Sequence, residues 1–200
     1  MAKPKDAGSR EASLPDAATL MAVDKVDPPH PATLSSDQLL NQCQLRTQRR
    51  GGPGGQHRNK TSSGVFLEHE PTGHIGEATE RRSQAQNRTV ALARLRHKLA
   101  IVVRTSSPLN QTQRRLIGEE ARVRDQYRRS KLRLADSNAD RPAVLAMLLD
   151  DLWAAGGQPS LVAKAWDVST SSINRFLRSQ PAAMEWVNRV REHHQRPPLK

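Results

Sequence analysis

The sequence predicts an α+β protein: a small domain made of a strand, a glycine-rich loop, a β-hairpin and a long α-helix, followed by an all-α helical module. Three observations lead there. Apolar residues alternate at a period of two in "VFLEHE", with Val65, Leu67 and His69 on one face. Leu92, Leu95, Leu99 and Val102 recur at spacings of three and four, as on one side of a helix. The aromatic residues are three Trp, one Tyr and two Phe, and all but Phe66 (Tyr127, Trp153, Trp166, Phe176 and Trp186) lie beyond residue 120. With 36% hydrophobic and 3% aromatic residues the cores are thin, and the better-anchored one is C-terminal.

Residues 1–32 mix Ala, Asp, Lys and Pro without a sustained period and end in "DPPHPA", which reads as a disordered arm. "LSSDQLLNQC" reads as a short helix capped by Ser35 or Ser36, with Leu39 and Leu40 inward. "CQLRTQRR" is extended and leads into "GGPGGQHRNKTSSG". "VFLEHE" and "HIGEATE" are the two arms of a hairpin, since Pro71 suits the first central position of a tight turn and Gly73 closes it. "SQAQNRTVALARLRHKLAIVVR" is the long helix, with Ser83 as N-cap.

Residues 105–140 are basic and weakly patterned, a connector with one helix around "QRRLIGEEARVRDQYRR". Residues 141–196 regain an apolar period: Pro142 opens a helix and Gly156 ends it, helices follow near 160–166 and 169–179, and a last one starts after Pro181. "DSNAD" at 136–140 mimics the start of a calcium loop, but Arg141 stands where its glycine belongs and Met147 where its closing Glu belongs. It reads as a polar turn before a helix.

The charge is +12 overall, with a sequence pI near 10.9, and it is unevenly spread. Residues 43–104 carry 12 basic and 4 acidic side chains, whereas residues 1–42 carry 4 and 6. That density around the glycine loop favours a polyanion, with nucleic acid the leading partner. The single Cys43 excludes an intrachain disulfide and a cysteine zinc site, and no metal or other cofactor is expected. No apolar run is long enough to span a membrane, and the N-terminus lacks the order of a secretory signal; Asp6, Glu11 and Asp16 argue against a transit peptide. A cytoplasmic location is expected.

The glycine loop fits neither common phosphate cradle. A Walker loop needs glycine directly before Lys and Ser/Thr, whereas Lys60 and Thr61 follow Asn59; the dinucleotide fingerprint needs a spaced glycine triplet opening a helix. A plain linker does not call for Pro53 among its glycines or for a regular hairpin after it. A linker stays open as the minor reading; the leading one is a tip, in which glycines allow close approach to another chain's backbone.

Four ordered pieces then carry a resemblance: Gly54-Gly55-Gln56, "HRNK" directly after it, "HEPTG" at the hairpin and "ERRSQAQNR" entering the long helix. About a third of the chain resembles the catalytic, GGQ-type domain of class I peptide chain release factors and their ribosome-rescue relatives. The resemblance implies hydrolysis of the peptidyl-tRNA ester in the peptidyl-transferase centre, with the ribosome and peptidyl-tRNA as partners. It assigns catalysis to Gly54, Gly55 and Gln56, the backbone N–H of Gln56 being the oxyanion donor. It makes His57, Arg58, Lys60, Arg81, Arg82 and Arg88 candidates for RNA contact; a solvated surface is the competing reading for any one of them. His57 as a general base is a weaker reading.

About 50 residues precede the tripeptide, too few for the stop-codon-reading domain of full release factors, so codon-independent action is expected. The rescue relatives carry a disordered basic tail, but residues 142–194 read as folded. "LVAKAWDVSTSSINRFLRS" resembles a helix-turn-helix unit, with Ala163 at the small interior position, Ile173, Phe176 and Leu177 inward, and Arg175 and Arg178 outward as candidate nucleic-acid or partner contacts. Its turn lacks the usual glycine. The expected division is a 1–32 arm, a 33–104 GGQ domain, a 105–140 connector and a 141–196 helical module. A non-catalytic protein docking on the ribosome or on nucleic acid through the same surfaces is the alternative.

Overall fold

The computed structural model describes residues 13–48, 63–111 and 113–200. In chain order the elements are β1 (Asp24–Lys25), α1 (Ser36–Leu40), β2 (Cys43–Gln48), β3 (Gly64–His69), β4 (His74–Ala78), α2 (Gln84–Val102), β5 (Val103–Arg104), α3 (Gly118–Tyr127), α4 (Arg141–Ala154), α5 (Pro159–Trp166), α6 (Thr170–Arg178) and α7 (Pro181–His193). The α+β class holds.

Strands β2, β3 and β4 form an antiparallel sheet in that order. Register sets Leu45 beside Leu67 and Leu67 beside Gly76, and Val65 beside Ala78. The alternation read from "VFLEHE" is real: Val65, Leu67 and His69 are buried. Ala91, Leu92, Leu95 and Leu99 of α2 close the cluster from the other side. The contact is close because Gly76 has no side chain. A Cβ there would lie 2.4 Å from the Ala91 carbonyl oxygen and 2.5 Å from Leu95 Cβ. The hairpin turn ends on Gly73 at φ +67, a left-handed conformation glycine adopts without strain.

The helix caps follow the sequence chemistry. Ser35 and Gln38 form a reciprocal capping box on α1. Ser83 accepts from the Gln86 N–H and caps α2. Helix α2 stops at Val102, two residues short of the expected end, because Val103 and Arg104 turn into β5 and pair in parallel with Asp24 and Lys25.

That pairing corrects the reading of the N-terminal arm. The described part, residues 13–32, is tied to the rest of the fold, and its last three residues, His30, Pro31 and Ala32, are buried. The Trp153 indole N–H donates to the Met21 carbonyl at 2.8 Å, and Lys25 Nζ lies 4.4 Å from the centroid of the Trp153 ring. His30 and Ala32 are fully buried. His30 Nδ1 accepts from the Ala32 N–H, which leaves the proton on Nε2 to be donated to the Val103 carbonyl. Burial first, then the nearby Arg104, hold the His30 pKa down at about 3.

The stretch read as a connector is likewise built into the fold, through polar pairs that leave no periodic trace. Asp150 of α4 accepts from the Thr105 N–H and hydroxyl and faces the buried Arg104, Nη1 to Oδ1 3.4 Å. Asp151 accepts from the Ser107 hydroxyl, the Arg124 guanidinium and the Trp166 indole at 2.6, 2.6 and 2.7 Å. A larger cluster built on α4 takes in Tyr127, Trp153, Trp166, Phe176 and Trp186, the aromatic set expected to anchor this half.

Candidate functional site

Residues 49–62 join Gln48 of β2 to Ser63, just before β3, and the two flanks are paired: Gln48 stands opposite Gly64 in the antiparallel register. The tripeptide Gly54, Gly55 and Gln56, together with His57, Arg58 and Lys60, falls in this stretch and so lies outside the described residues. What the structure defines is the base from which the segment springs.

That base is held by Asn87, on the first turn of α2 and fully buried. Its Nδ2 donates to the Ser63 carbonyl at 2.5 Å and to the Arg81 carbonyl at 3.0 Å. Its Oδ1 accepts from the Arg81 N–H at 2.9 Å. One amide therefore fastens the C-terminal flank of the glycine segment, the approach to α2 and the helix itself. The side-chain capacity of Asn, two donors and an acceptor, matches this demand. Reasoning from sequence passed over Asn87 in favour of the arginines beside it; an Asn inside the first helical turn, where propensity disfavours it, was the available signal.

Arg81, Arg82 and Arg88 are exposed around this base and form no ion pair among the described residues. Arg94 is different: it is bound by the Glu77 carbonyl and the Glu80 carboxylate. Across the sheet Arg46 pairs with Glu68. The rim thus carries three guanidiniums without an ion pair among the described residues, beside others already neutralised, an arrangement suited to phosphate.

"HEPTG" is structural here. His69 Nδ1 lies 2.7 Å from the Thr72 hydroxyl and Nε2 3.1 Å from Gln42 Oε1, so the ring ties the turn to the end of α1. Burial, then the neighbouring His74, lower its pKa. Cys43 is a free, half-buried thiol donating to the Leu39 carbonyl, and burial pushes its pKa up to about 11, which makes it a poor nucleophile. No group of three His, Cys, Asp or Glu side chains is placed to hold a metal among the described residues. The calcium-loop mimic is a turn whose carboxylates are occupied, Asp140 by Arg122 and Asp136 by Arg141. Among the described residues no helix is long and apolar enough to cross a membrane.

In the C-terminal module, α5 and α6 are joined by Asp167, Val168 and Ser169. Asp167 takes the left-handed conformation, φ 52 and ψ 48, so it fills the position of the missing turn glycine, a role Asp tolerates better than most residues. Ala163, Ile173, Phe176 and Leu177 are buried and Arg175 and Arg178 exposed, the orientations the sequence implied.

Comparison with known proteins agrees with this architecture. The RF-1 domain model matches residues 38–141, more than half of the chain, and the chain belongs to that family. An uncharacterized, mitochondrial peptide chain release factor-like protein of Saccharomyces cerevisiae is 39% identical over 94 residues, 46% of this chain and 59% of that protein. Peptide chain release factor 2 of Clostridium perfringens is 47% identical over 70 residues, covering 33% of this chain and 19% of the factor. Peptide chain release factor 1 of Symbiobacterium thermophilum is 50% identical over 56 residues, 28% and 16% of the two chains. The chain therefore spans about three-fifths of the yeast relative and under a fifth of each bacterial factor.

Proposed function

We propose that the protein hydrolyses the ester of peptidyl-tRNA on the ribosome without reading a codon, in translation termination or ribosome rescue. The observation that carries the reading is the RF-1 domain match across the strand–hairpin–helix unit whose paired strands and Asn87 clamp bracket Gly54-Gly55-Gln56. The ester is already activated, so the protein need only admit water and stabilise the developing oxyanion. The backbone N–H of Gln56 supplies that stabilisation, and Gly54 and Gly55 give it clearance. Arg58, Lys60, Arg81, Arg82 and Arg88, with His57, hold large-subunit rRNA and tRNA phosphates, which positions the tip without reading sequence.

The compartment proposed is the cytoplasm, although the yeast relative is named as mitochondrial. The test is release of labelled peptide from ribosomes with an empty A site, comparing the full chain with Gln56→Ala and Gly55→Ala. Release that depends on both residues is expected; release unchanged by either substitution overturns the enzymatic reading in favour of docking alone.

A further inference from the structure

The segment after α3 is tied near both ends of helix α6. The Arg129 N–H donates to the Trp166 carbonyl at 3.0 Å and its Nε to Asp167 at 2.7 Å, just before α6 begins. Further along, the Arg141 guanidinium binds both the Leu134 carbonyl and the Ser179 hydroxyl, just after α6 ends. The segment is thus fastened at both ends of the helix. Between the fastenings it alternates: Leu132 and Leu134 are buried in the aromatic cluster, whereas Lys131 and Arg133 point to solvent, as do Arg128 and Arg129 before them. Helix α6 adds Arg175 and Arg178, three residues apart on its exposed side.

Residues 128–133 and 170–178 together hold six basic side chains and no acidic one. The carboxylates at the margin are engaged, Asp167 with Arg129 and Asp136 with Arg141. Arg178 Nε donates to the Lys200 main-chain oxygen, which steadies the side chain, and its terminal nitrogens make no hydrogen bond among the described residues. A protein partner would call for an apolar centre to the patch. Here the apolar residues, Leu132, Leu134, Phe176 and Leu177, all point inward. A surface of cations with no apolar centre suits a polyphosphate backbone.

We propose that this face, Arg128, Lys131 and Arg133 with Arg175 and Arg178, is a second RNA-docking surface that grips the phosphates of a folded RNA. The choice of RNA over DNA rests on the ribosomal reading above; the cationic strip does not depend on it. The surface would give the helical module a share in holding the protein on its RNA target, separate from the glycine segment.

The experiment uses the full chain and fluorescence anisotropy of a labelled RNA hairpin, and of the DNA hairpin of the same sequence, from about 50 to 200 mM salt. The variant Lys131→Gln/Arg133→Gln/Arg175→Gln/Arg178→Gln is expected to lose about tenfold or more in affinity for the RNA. Its dependence of log affinity on log salt should flatten by about one for each phosphate contact removed. The milder pair Lys131→Gln/Arg133→Gln should show about half that flattening, and it carries the test if the fourfold variant fails to fold. Wild-type affinity and slope in these variants, or tighter binding to the DNA hairpin, overturns the proposal. Because no ribosome is present, the outcome is independent of peptide release. A fall in release in Gln56→Ala with unchanged RNA binding in the arginine and lysine variants removes the docking surface alone, and the converse removes hydrolysis alone.

Discussion

Asn87 Nδ2 donates to the Ser63 carbonyl across 24 residues of sequence, and the same amide holds both backbone groups of Arg81. Removing it strips three backbone groups of their partner at once, the buried Ser63 carbonyl and the two part-buried groups of Arg81. Asn87→Ala should destabilise the protein by about 2 kcal/mol or more, since a buried group left unpaired costs about 1–3 kcal/mol. That corresponds to a fall in Tm of about 4–8 °C for a chain of this size. Asn87→Asp should be worse, because an acceptor then faces the carbonyls of Ser63 and Arg81. Thermal melts check both, and a change below a degree in Asn87→Ala would sink the clamp.

Gly76 sets how closely the sheet and α2 approach. A methyl group there meets main-chain atoms, the Ala91 carbonyl oxygen at 2.4 Å and the Leu95 nitrogen at 2.8 Å, which a helix cannot move independently. Gly76→Ala should cost about 1–3 kcal/mol by overpacking. Gly73→Ala is the control: nothing lies within 4 Å of its Cβ, so only the positive φ is penalised, at about 1–2 kcal/mol. Urea midpoints distinguish them further, because Gly76→Ala should also loosen the region around Asn87 and speed amide exchange at the start of α2, whereas Gly73→Ala should leave α2 unchanged.

Asp150 gives a pH signature. Burial pushes its carboxyl up to about 7, against the favourable pull of Arg104 and Thr105. The unfolded value is about 3.9, so between about pH 4 and 7 the native state keeps a proton that the unfolded chain has released. The contribution of this proton to stability is therefore complete below about pH 4 and is lost as pH rises to about 7. Asp150→Asn removes the effect, so the variant's stability minus that of wild type should climb with pH by up to about 1.4 kcal/mol per unit across this window, then level off. His30, held at about 3, works the other way: its contribution is present above about pH 6.5 and lost as pH falls. It is common to both proteins and drops out of the difference. Urea titrations at several pH values measure it, and a flat difference refutes the assignment.

What the sequence revealed and what it hid divide along physical lines. Period and cap chemistry are local, so the alternation in β3, Ser83 before α2, Pro142 in α4 and the inward face of α6 could all be read directly. The packing of residues 13–34 could not, because it depends on a two-residue strand pairing and on His30, a polar residue whose burial only its hydrogen bonds to Ala32 and Val103 make tolerable. The ordering of residues 105–111 and 113–134 escaped for the same reason: Arg104 with Asp150 and Arg124 with Asp151 are long-range pairs with no spacing rule. At the candidate site the motif around Gly54-Gly55-Gln56 was plain, while Asn87, which holds its base, looked like one more polar helix residue.

The chemistry assigned to Gln56 can be split between its side chain and its backbone. If the backbone N–H is the oxyanion donor, Gln56→Ala keeps the donor and Gln56→Pro removes it, since proline has no N–H. A lost oxyanion-hole donor costs about a hundredfold to a thousandfold in rate. Peptide release by Gln56→Pro should accordingly fall by at least about a hundredfold, to the level of ribosomes without the factor, while Gln56→Ala should retain measurable release and admit nucleophiles larger than water, such as hydroxylamine, more readily. The comparison is made at saturating protein, so that weakened docking does not pass for lost chemistry. Equal loss in the two variants would assign the role to the side chain, and full release by Gln56→Pro would take the tripeptide out of the reaction. Ser63 and Asn87 lie within the described fold and are unchanged in both variants, so equal melting temperatures should confirm that the base of the segment is intact while its tip is altered.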